Sequence, residues 1–216
     1  MEEANIKANK IKNIEDTLNM IRMIDFKPWS KRFTQKDAKS IIEDAKDGEF
    51  VLAHNNIIKK IENYYKCDGI DYAFDIAAMR GHFNVVKYIV DNSEDKNPSD
   101  AIGDTPLHRA AMGGHLAIVR YIMDNVEDKS PKDQQGNTPL HQAAMGGHLA
   151  IVRYIMDHVE DKSPRDDLGQ TPLHVAASKG HLEVYQELFN RVEKIEKSSK
   201  DIDGETPFHY AAQSGH

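Results

Sequence analysis

Short apolar blocks alternate with polar loops along the last two thirds of the chain. The block at residues 116–123 carries its apolar side chains at helical spacing, which predicts an amphipathic helix. A shorter block through Ala110 and Ala111 precedes it, and Gly114 stands between the two, as a left-handed residue that ends a helix. The polar loop after the second block closes on the turn pattern Asp-x-x-Gly at residues 133–136. The pattern predicts a pair of antiparallel helices followed by a tight turn.

This unit is repeated along the chain. Its opening tetrad Thr-Pro-Leu-His stands at residues 105–108, 138–141 and 171–174 and returns as Thr-Pro-Phe-His at 206–209, in steps of 33, 33 and 35 residues. Thr105 suits the N-cap of the first helix and Pro106 its first position. A Gly-His pair follows each tetrad at a constant distance, and a further pair stands at residues 81–82. Residues 105–131 and 138–164 agree at 25 of 27 positions, which indicates a tandem duplication.

The tetrad, the Ala-Ala and Gly-His pairs and the Asp-x-x-Gly turn at a 33-residue step resemble the ankyrin repeat. The resemblance covers about residues 67–216. It implies an all-α solenoid of stacked helix-turn-helix units with short β-hairpin-like fingers. It also implies that the tetrad histidines hydrogen-bond within and between neighbouring units; these are His108, His141, His174 and His209.

The spacing of the markers divides the chain into a helical N-terminal segment, residues 1–66, and a repeat array, residues 67–216. The expected units are 67–99, 100–132, 133–165, 166–200 and 201–216. The first unit is divergent, because Tyr-Ala-Phe-Asp at residues 72–75 replaces the tetrad. The last unit stops before its second helix, so we expect the sequence to be a fragment of a longer chain.

The N-terminal segment carries no tetrad, but an apolar stripe at helical spacing runs through Ile11, Ile14, Leu18 and Ile21. The stripe fits a helix that caps the exposed end of the stack, or a coiled-coil seam with another chain. We favour the cap, because two heptads are short for a coiled coil. Helices predicted within residues 34–48 and 50–65 form a pair of one unit's length and suggest a degenerate first repeat. The aromatic and basic residues at 26–33 are interpreted as a connector.

Eleven histidines in 216 residues suggest metal binding or catalysis until they are placed in the repeat. Nine belong to the tetrads and the Gly-His pairs, which recur once per unit instead of converging on one point. The sequence lacks the phosphate-loop, nucleophile-elbow and zinc-protease motifs, and nothing orients its single cysteine, Cys67, as a nucleophile. We therefore predict no catalytic residue, no metal site, no cofactor and no enzyme activity.

The net charge of −7 is the sum of an N-terminal segment at +2 and an array at −9. This acidity argues against nucleic acid as a partner. No apolar stretch approaches the roughly 20 residues of a membrane-spanning helix, so no membrane contact is expected in this segment. A single cysteine suits a reducing compartment. We expect a monomeric protein in the cytoplasm, with the nucleus as the alternative.

Proteins of the family that this chain resembles bind other proteins through the fingers and the concave face of the first helices. Carried over by position, the finger residues are Ala101, Ile102 and Asp104, then Gln134, Gln135 and Asn137, then Asp167, Leu168 and Gln170, and finally Ile202, Asp203 and Glu205. The concave residues, just before each Gly-His pair, are Met79 and Arg80, Met112 and Gly113, Met145 and Gly146, Ser178 and Lys179, and Gln213 and Ser214.

Met79, Met112 and Met145 stand in the same register, one per unit. Methionine is flexible and polarisable, so the row would suit an adaptable apolar contact; alternatively, these side chains cover the neighbouring helix as peripheral core. Acidic finger residues surround the row, so the expected partner is a protein with an apolar segment flanked by basic residues. We predict a scaffold or adaptor module. The alternative is the cytosolic ankyrin region of a larger enzyme or ion channel, where the array recruits substrate or regulates a further domain.

Overall fold

The computed structural model of the chain describes residues 6–12, 14, 15, 18, 39–41, 56–59, 61, 62, 70–194 and 196–216. Every described residue before position 63 is helical, and Ile14 and Leu18 of the predicted apolar stripe are buried. Ile21, Cys67 and the connector at 26–33 lie outside the described residues. So do the predicted ends of the helices within 34–48 and 50–65.

The described part of the array contains paired helices at the predicted places, and we number them in chain order. They are α1 (Ile70–Arg80), α2 (Phe83–Asn92), α3 (Pro106–Gly113), α4 (Leu116–Met123), α5 (Pro139–Gly146), α6 (Leu149–His158), α7 (Pro172–Ser178), α8 (Leu182–Arg191) and α9 (Pro207–Gln213). A short 3-10 helix, Glu196–Ser198, lies in the loop after α8. No strand occurs among the residues described, so the all-α fold class is confirmed.

Local sequence determines where the first helix of each unit begins and ends. Thr105 is the N-cap of α3, forms a capping box with His108 and is followed by proline in the first turn. Gly114 ends the helix in the left-handed region, at φ 82°. The equivalent residues of α5 are Thr138, His141 and Gly147, the last at φ 73°. The expected caps are therefore confirmed.

The helices divide into two compact units, one of residues 1–77 and 82–94 and one of residues 78–81 and 95–216. In the first, the side chains of Phe74, Val85, Val86 and Ile89 are buried. In the second, the inner helices α3, α5, α7 and α9 pack against one another in sequence. Each outer helix, α4, α6 and α8, packs on the inner helix of its own repeat, and α6 packs on both α4 and α8.

The core of the second unit comes from one apolar stripe per helix. In the duplicated repeats, Leu107, Ile118 and Ile122 have the counterparts Leu140, Ile151 and Ile155, and all six are almost fully buried. The same helix positions point inward in each repeat, so the positions on the opposite side of each helix face solvent in every repeat. The fingers and the inner-helix positions that face solvent are therefore presented on a regular framework.

Candidate binding face of fingers and inner helices

The tetrad histidines tie each repeat to the next. Nδ1 of His108 accepts the backbone N–H of Thr105 at 3.2 Å, and its Nε2–H donates to the carbonyl of Asn137 in the next repeat at 3.1 Å. The same pair of bonds links His141 to Thr138 and Gln170, and His174 to Thr171 and Glu205. The expectation that these histidines bond within and between units is confirmed. Both nitrogens of each ring therefore have backbone partners, and Nδ1 also lies 2.9–3.0 Å from the hydroxyl of its threonine.

Burial keeps these imidazoles neutral. Loss of hydration lowers the pKa of His141 to about 4 and lowers the pKa of His108 and of His174. Because Nδ1 accepts a hydrogen bond, the ring hydrogen is on Nε2. A second proton would have to bind Nδ1, where it would face the threonine N–H. These groups are structural rather than metal ligands or bases.

The histidines of the Gly-His pairs reach in the opposite direction, to the preceding repeat. Nε2–H of His115 donates to the carbonyl of Met79 at 2.9 Å, and His148 donates to Met112 and His181 to Met145 in the same way. Each ring also lies against the glycine of the Gly-His pair in the preceding repeat. A Cβ on Gly114, for example, would meet the ring of His148 at 2.6 Å. The glycine is required both by its positive φ and by this close approach.

His158 is the only other histidine that the structure describes. Its Nδ1–H donates to the carbonyl of Tyr154 at 2.7 Å. Asn125, which holds the same position in the duplicated repeat, donates from Nδ2 to the carbonyl of Tyr121 at 2.8 Å. The substitution of asparagine by histidine between the two copies therefore preserves one hydrogen bond.

The fingers are five-residue turns at 100–104, 133–137, 166–170 and 201–205. In the first, the N–H of Asp100 donates to the carbonyl of Asp104 at 2.8 Å, and the N–H of Gly103 donates back to Asp100 at 3.0 Å. The tips are joined in a row, because the N–H of Gln134 donates to the carbonyl of Ile102. Asp167 bonds to Gln135 and Ile202 to Leu168 in the same manner. The row presents neighbouring tips at a fixed spacing.

Most of the residues predicted to bind a partner are at the surface. Arg80, Ala101, Ile102, Met112, Gln134, Gln135, Asp167, Leu168, Lys179, Ile202 and Asp203 are exposed, whereas Met79, Asn137, Met145, Gln170, Ser178 and Glu205 are half-buried. The carbonyls of Asn137, Gln170 and Glu205 accept the bonds from the tetrad histidines. These three positions therefore contribute to the framework as well as to the face.

Asp104 is the exception and was expected to be an exposed finger acid. It is buried, and its carboxylate pairs with the guanidinium of Arg109 at 3.1 Å. Burial raises the pKa of Asp104 more than Arg109 lowers it. Arg109 follows the tetrad directly and also reaches Asp100 at 2.9 Å, so it turns two finger acids inward. Asp104 is thus part of an internal ion-pair network.

The methionine row is unevenly exposed. Met112 is 39% exposed, whereas Met79 and Met145 are half-buried. Their carbonyls occupy equivalent places, since each accepts a bond from a histidine 36 residues later. Met112 is therefore the most exposed of the three side chains.

A comparison with protein-family models decides the family. The model for ankyrin repeats (3 copies) matches residues 50–133, 74–166, 125–201 and 160–216. The chain belongs to the ankyrin repeat family. Ankyrin repeats are generally non-catalytic protein–protein interaction modules. No curated protein matches this ankyrin repeat chain.

Other features of the described part of this ankyrin repeat protein bear on small-molecule, metal and membrane sites. A cavity of about 720 Å³ lies among the loop after α6, the end of α8 and Lys132. Its lining is charged, but Arg165 pairs with Glu196, and Arg191 pairs with Asp157. The described residues include no cluster of three or more side chains suited to a metal ion. They also include no helix with the length and apolarity to cross a bilayer.

Sequence reasoning missed the row of residues that follows the tetrads: Arg109, Gln142, Val175 and Tyr210. These differ from repeat to repeat while the tetrad stays nearly constant, which is the signal that an alignment of the repeats provides. Arg109 pairs with Asp100, and the hydroxyl of Tyr210 donates to Asp201 at 2.8 Å. In two of the four fingers, the residue in this row therefore supplies a side-chain donor to the finger carboxylate.

Proposed function

We propose that this chain is a scaffold or adaptor module that binds a protein partner through its finger tips and the concave face of its inner helices. The partner segment is apolar and flanked by basic residues. The proposal rests on one observation above all: large apolar side chains stand more than half exposed on finger tips that the backbone holds in a fixed row.

The apolar part of the face is concentrated on two neighbouring fingers. Leu168 is 52% exposed and Ile202 is 66% exposed, and a backbone bond of 3.0 Å joins the two residues. Ile102, on the first finger, is 55% exposed. Apolar side chains that are held side by side in water favour association, because burying them in an interface releases their hydration.

Charge supports a basic partner. Asp167 and Asp203 are exposed beside the apolar pair, and residues 67–216 carry a net charge of −9. Such charges mainly increase the association rate and the specificity for a positively charged segment. The inner face adds Met112, whose flexible side chain suits contacts with varied apolar groups.

The test begins with affinity capture by the full chain and identification of the bound protein by mass spectrometry. The affinity of that protein is then measured for wild type, for L168S/I202S and for the control L182S. Leu182 is 65% exposed on α8 and therefore represents an exposed apolar residue outside the face. We expect L168S/I202S to weaken binding at least about tenfold and L182S to leave it unchanged. Equal effects, or none from the finger variant, would contradict the proposal.

A second variant tests the inner face. M112A/M145A is expected to weaken binding while circular dichroism and the thermal midpoint remain close to wild type, because Met112 is exposed and Met145 is only half-buried. Unchanged affinity would show that the row is peripheral core. Loss of the folded state would also show that these methionine side chains belong to the core.

A further inference from the structure

The four fingers share an aspartate at their first position, and its carboxylate organises the turn. One oxygen, Oδ1, accepts two backbone N–H groups of the same finger at 2.8–3.0 Å in every case. The four residues are Asp100, Asp133, Asp166 and Asp201. Since Oδ1 is used identically, any difference among the fingers lies in what the other oxygen, Oδ2, contacts.

In three fingers a side chain of this chain donates to Oδ2. Arg109 reaches Asp100 at 2.9 Å, and Nδ2 of Asn137 reaches Asp133 at 3.0 Å. The hydroxyl of Tyr210 reaches Asp201 at 2.8 Å. These three carboxylates are therefore satisfied inside the molecule.

Asp166 departs from this pattern. Among the residues described, no side chain donates to it; its hydrogen bonds come from the backbone N–H groups of Leu168 and Gln170, both to Oδ1. The position that supplies Arg109 and Tyr210 in other repeats is Val175 here, and a valine side chain has no donor. Burial raises the pKa of Asp166 more than those backbone bonds lower it. The carboxylate is half-buried, and no cationic side chain among the described residues forms an ion pair with it.

A second acceptor without a donor stands one repeat earlier in the same row. Oε1 of Gln142 is buried and has no hydrogen-bond partner, and the residue itself is 8% exposed. Gln142 precedes Val175 by one repeat, on the neighbouring inner helix. This Oε1 atom is closed to solvent, so of the two acceptors only the half-buried carboxylate of Asp166 is open to a donor from outside.

We propose that Asp166 is the specificity-determining residue of the binding face and takes an arginine side chain from the partner, while an adjacent apolar partner residue packs on Leu168 and Ile202. This inference rests on the proposed function and names its recognition chemistry. Arginine fits because its planar guanidinium offers five donors and is weakly hydrated, which suits a half-buried carboxylate. Arg109 on Asp100 shows the same contact made within the chain.

The test uses a random 12-residue peptide display library selected on the full chain. Wild type is expected to enrich peptides in which an arginine lies beside apolar residues. Selection is repeated on D166N and on D167N, which loses the same charge one residue away at an exposed site. The inference predicts that D166N loses the arginine preference and keeps the apolar one, whereas D167N keeps both.

A titration quantifies the contact. The most enriched peptide and its citrulline variant, which replaces the charged guanidinium by a neutral group of similar shape, are titrated into wild type and D166N. Citrulline is expected to weaken binding to wild type about tenfold and binding to D166N by less than about twofold. Equal losses in both proteins would overturn the inference.

V175R provides an independent variant that keeps the carboxylate. An arginine at this position would form with Asp166 the ion pair that Arg109 forms with Asp100. The preference for arginine-containing peptides should then disappear, while selection of apolar residues remains. If V175R fails to fold, D166N answers the same question. Apolar peptides without arginine on wild type would overturn this inference and leave the proposed function standing. Failure of wild type to enrich any peptide would contradict both.

Discussion

Acidification from pH 7 to pH 5 is expected to destabilise the array through its buried tetrad histidines, of which His141 is the most enclosed. Its ring is fully buried, Nδ1 accepts the N–H of Thr138 at 3.1 Å, and Nε2–H donates to Gln170 at 3.2 Å. A second proton would have to enter at Nδ1, against the N–H that this nitrogen accepts. The native state therefore keeps His141 neutral where the unfolded chain becomes protonated.

The size and sign of the effect follow from the two pKa values. Burial lowers the pKa of His141 to about 4, from an ordinary 6.5. Between these values the unfolded state binds the proton and the native state does not, so the free energy of unfolding falls as the pH falls. The full shift corresponds to about 3 kcal/mol, of which about 2 kcal/mol is lost between pH 7 and pH 5. Below pH 4 the loss levels off, because native His141 also becomes protonated.

Urea unfolding of wild type, H141Q and H209Q at pH 7 and pH 5 isolates this contribution. His209 is the matched control, because it bonds to its capping threonine as His141 does but is exposed. H141Q should lose about 2 kcal/mol less than wild type on acidification, since it has no imidazole to protonate at that site. H209Q should keep most of the wild-type pH dependence. The same pH dependence in wild type and H141Q would refute the reasoning.

Two further substitutions test the fingers. G136A is expected to lower the free energy of unfolding by about 2–3 kcal/mol, because the residue has φ 79° and a Cβ would meet the backbone nitrogen of Asp167 at 2.9 Å. G204A, at φ 80° in open space, should lower it by only about 1 kcal/mol. Thermal melts compare the two variants. R109A is expected to lower the free energy of unfolding by about 2 kcal/mol at pH 7, because it leaves the carboxylate of Asp104 buried without its cation. Chemical denaturation measures this loss, and a stability equal to wild type would show that Asp104 does not depend on the pair.

Much of the fold could be predicted from the sequence because its determinants are local and repeated. Thr105, Pro106 and Gly114 act within one helix, so their roles in beginning and ending it follow from residue type alone. The bonds from the tetrad histidines to the next repeat were implied by resemblance, and the structure shows their geometry. The bonds of His108, His141 and His174 to the next repeat agree with what the resemblance implied.

The state of individual side chains on the face could not be predicted in the same way. Asp104 occupies a finger position, yet Arg109 draws it inward, and this depends on a residue outside both the finger and the tetrad. Among the described residues no side chain donates to Asp166, and Val175 stands where Arg109 and Tyr210 supply donors in other repeats, which appears only when the four equivalent fingers are compared in space. Met112 is exposed and Met145 is half-buried although they hold equivalent positions in two nearly identical repeats. Such pairings depend on which side chain follows each tetrad and on what it contacts in space, which the repeat pattern does not encode.

Hydrogen-exchange mass spectrometry of the full chain, with and without the captured partner, tests whether a protein partner binds the fingers and inner helices of this array. We expect added protection at the finger tips 101–102, 134–135, 167–168 and 202–203 and on α3, α5 and α7, and no change on the outer helices α4, α6 and α8. Protection confined to the outer helices, with the finger tips exchanging as in the free protein, would contradict it.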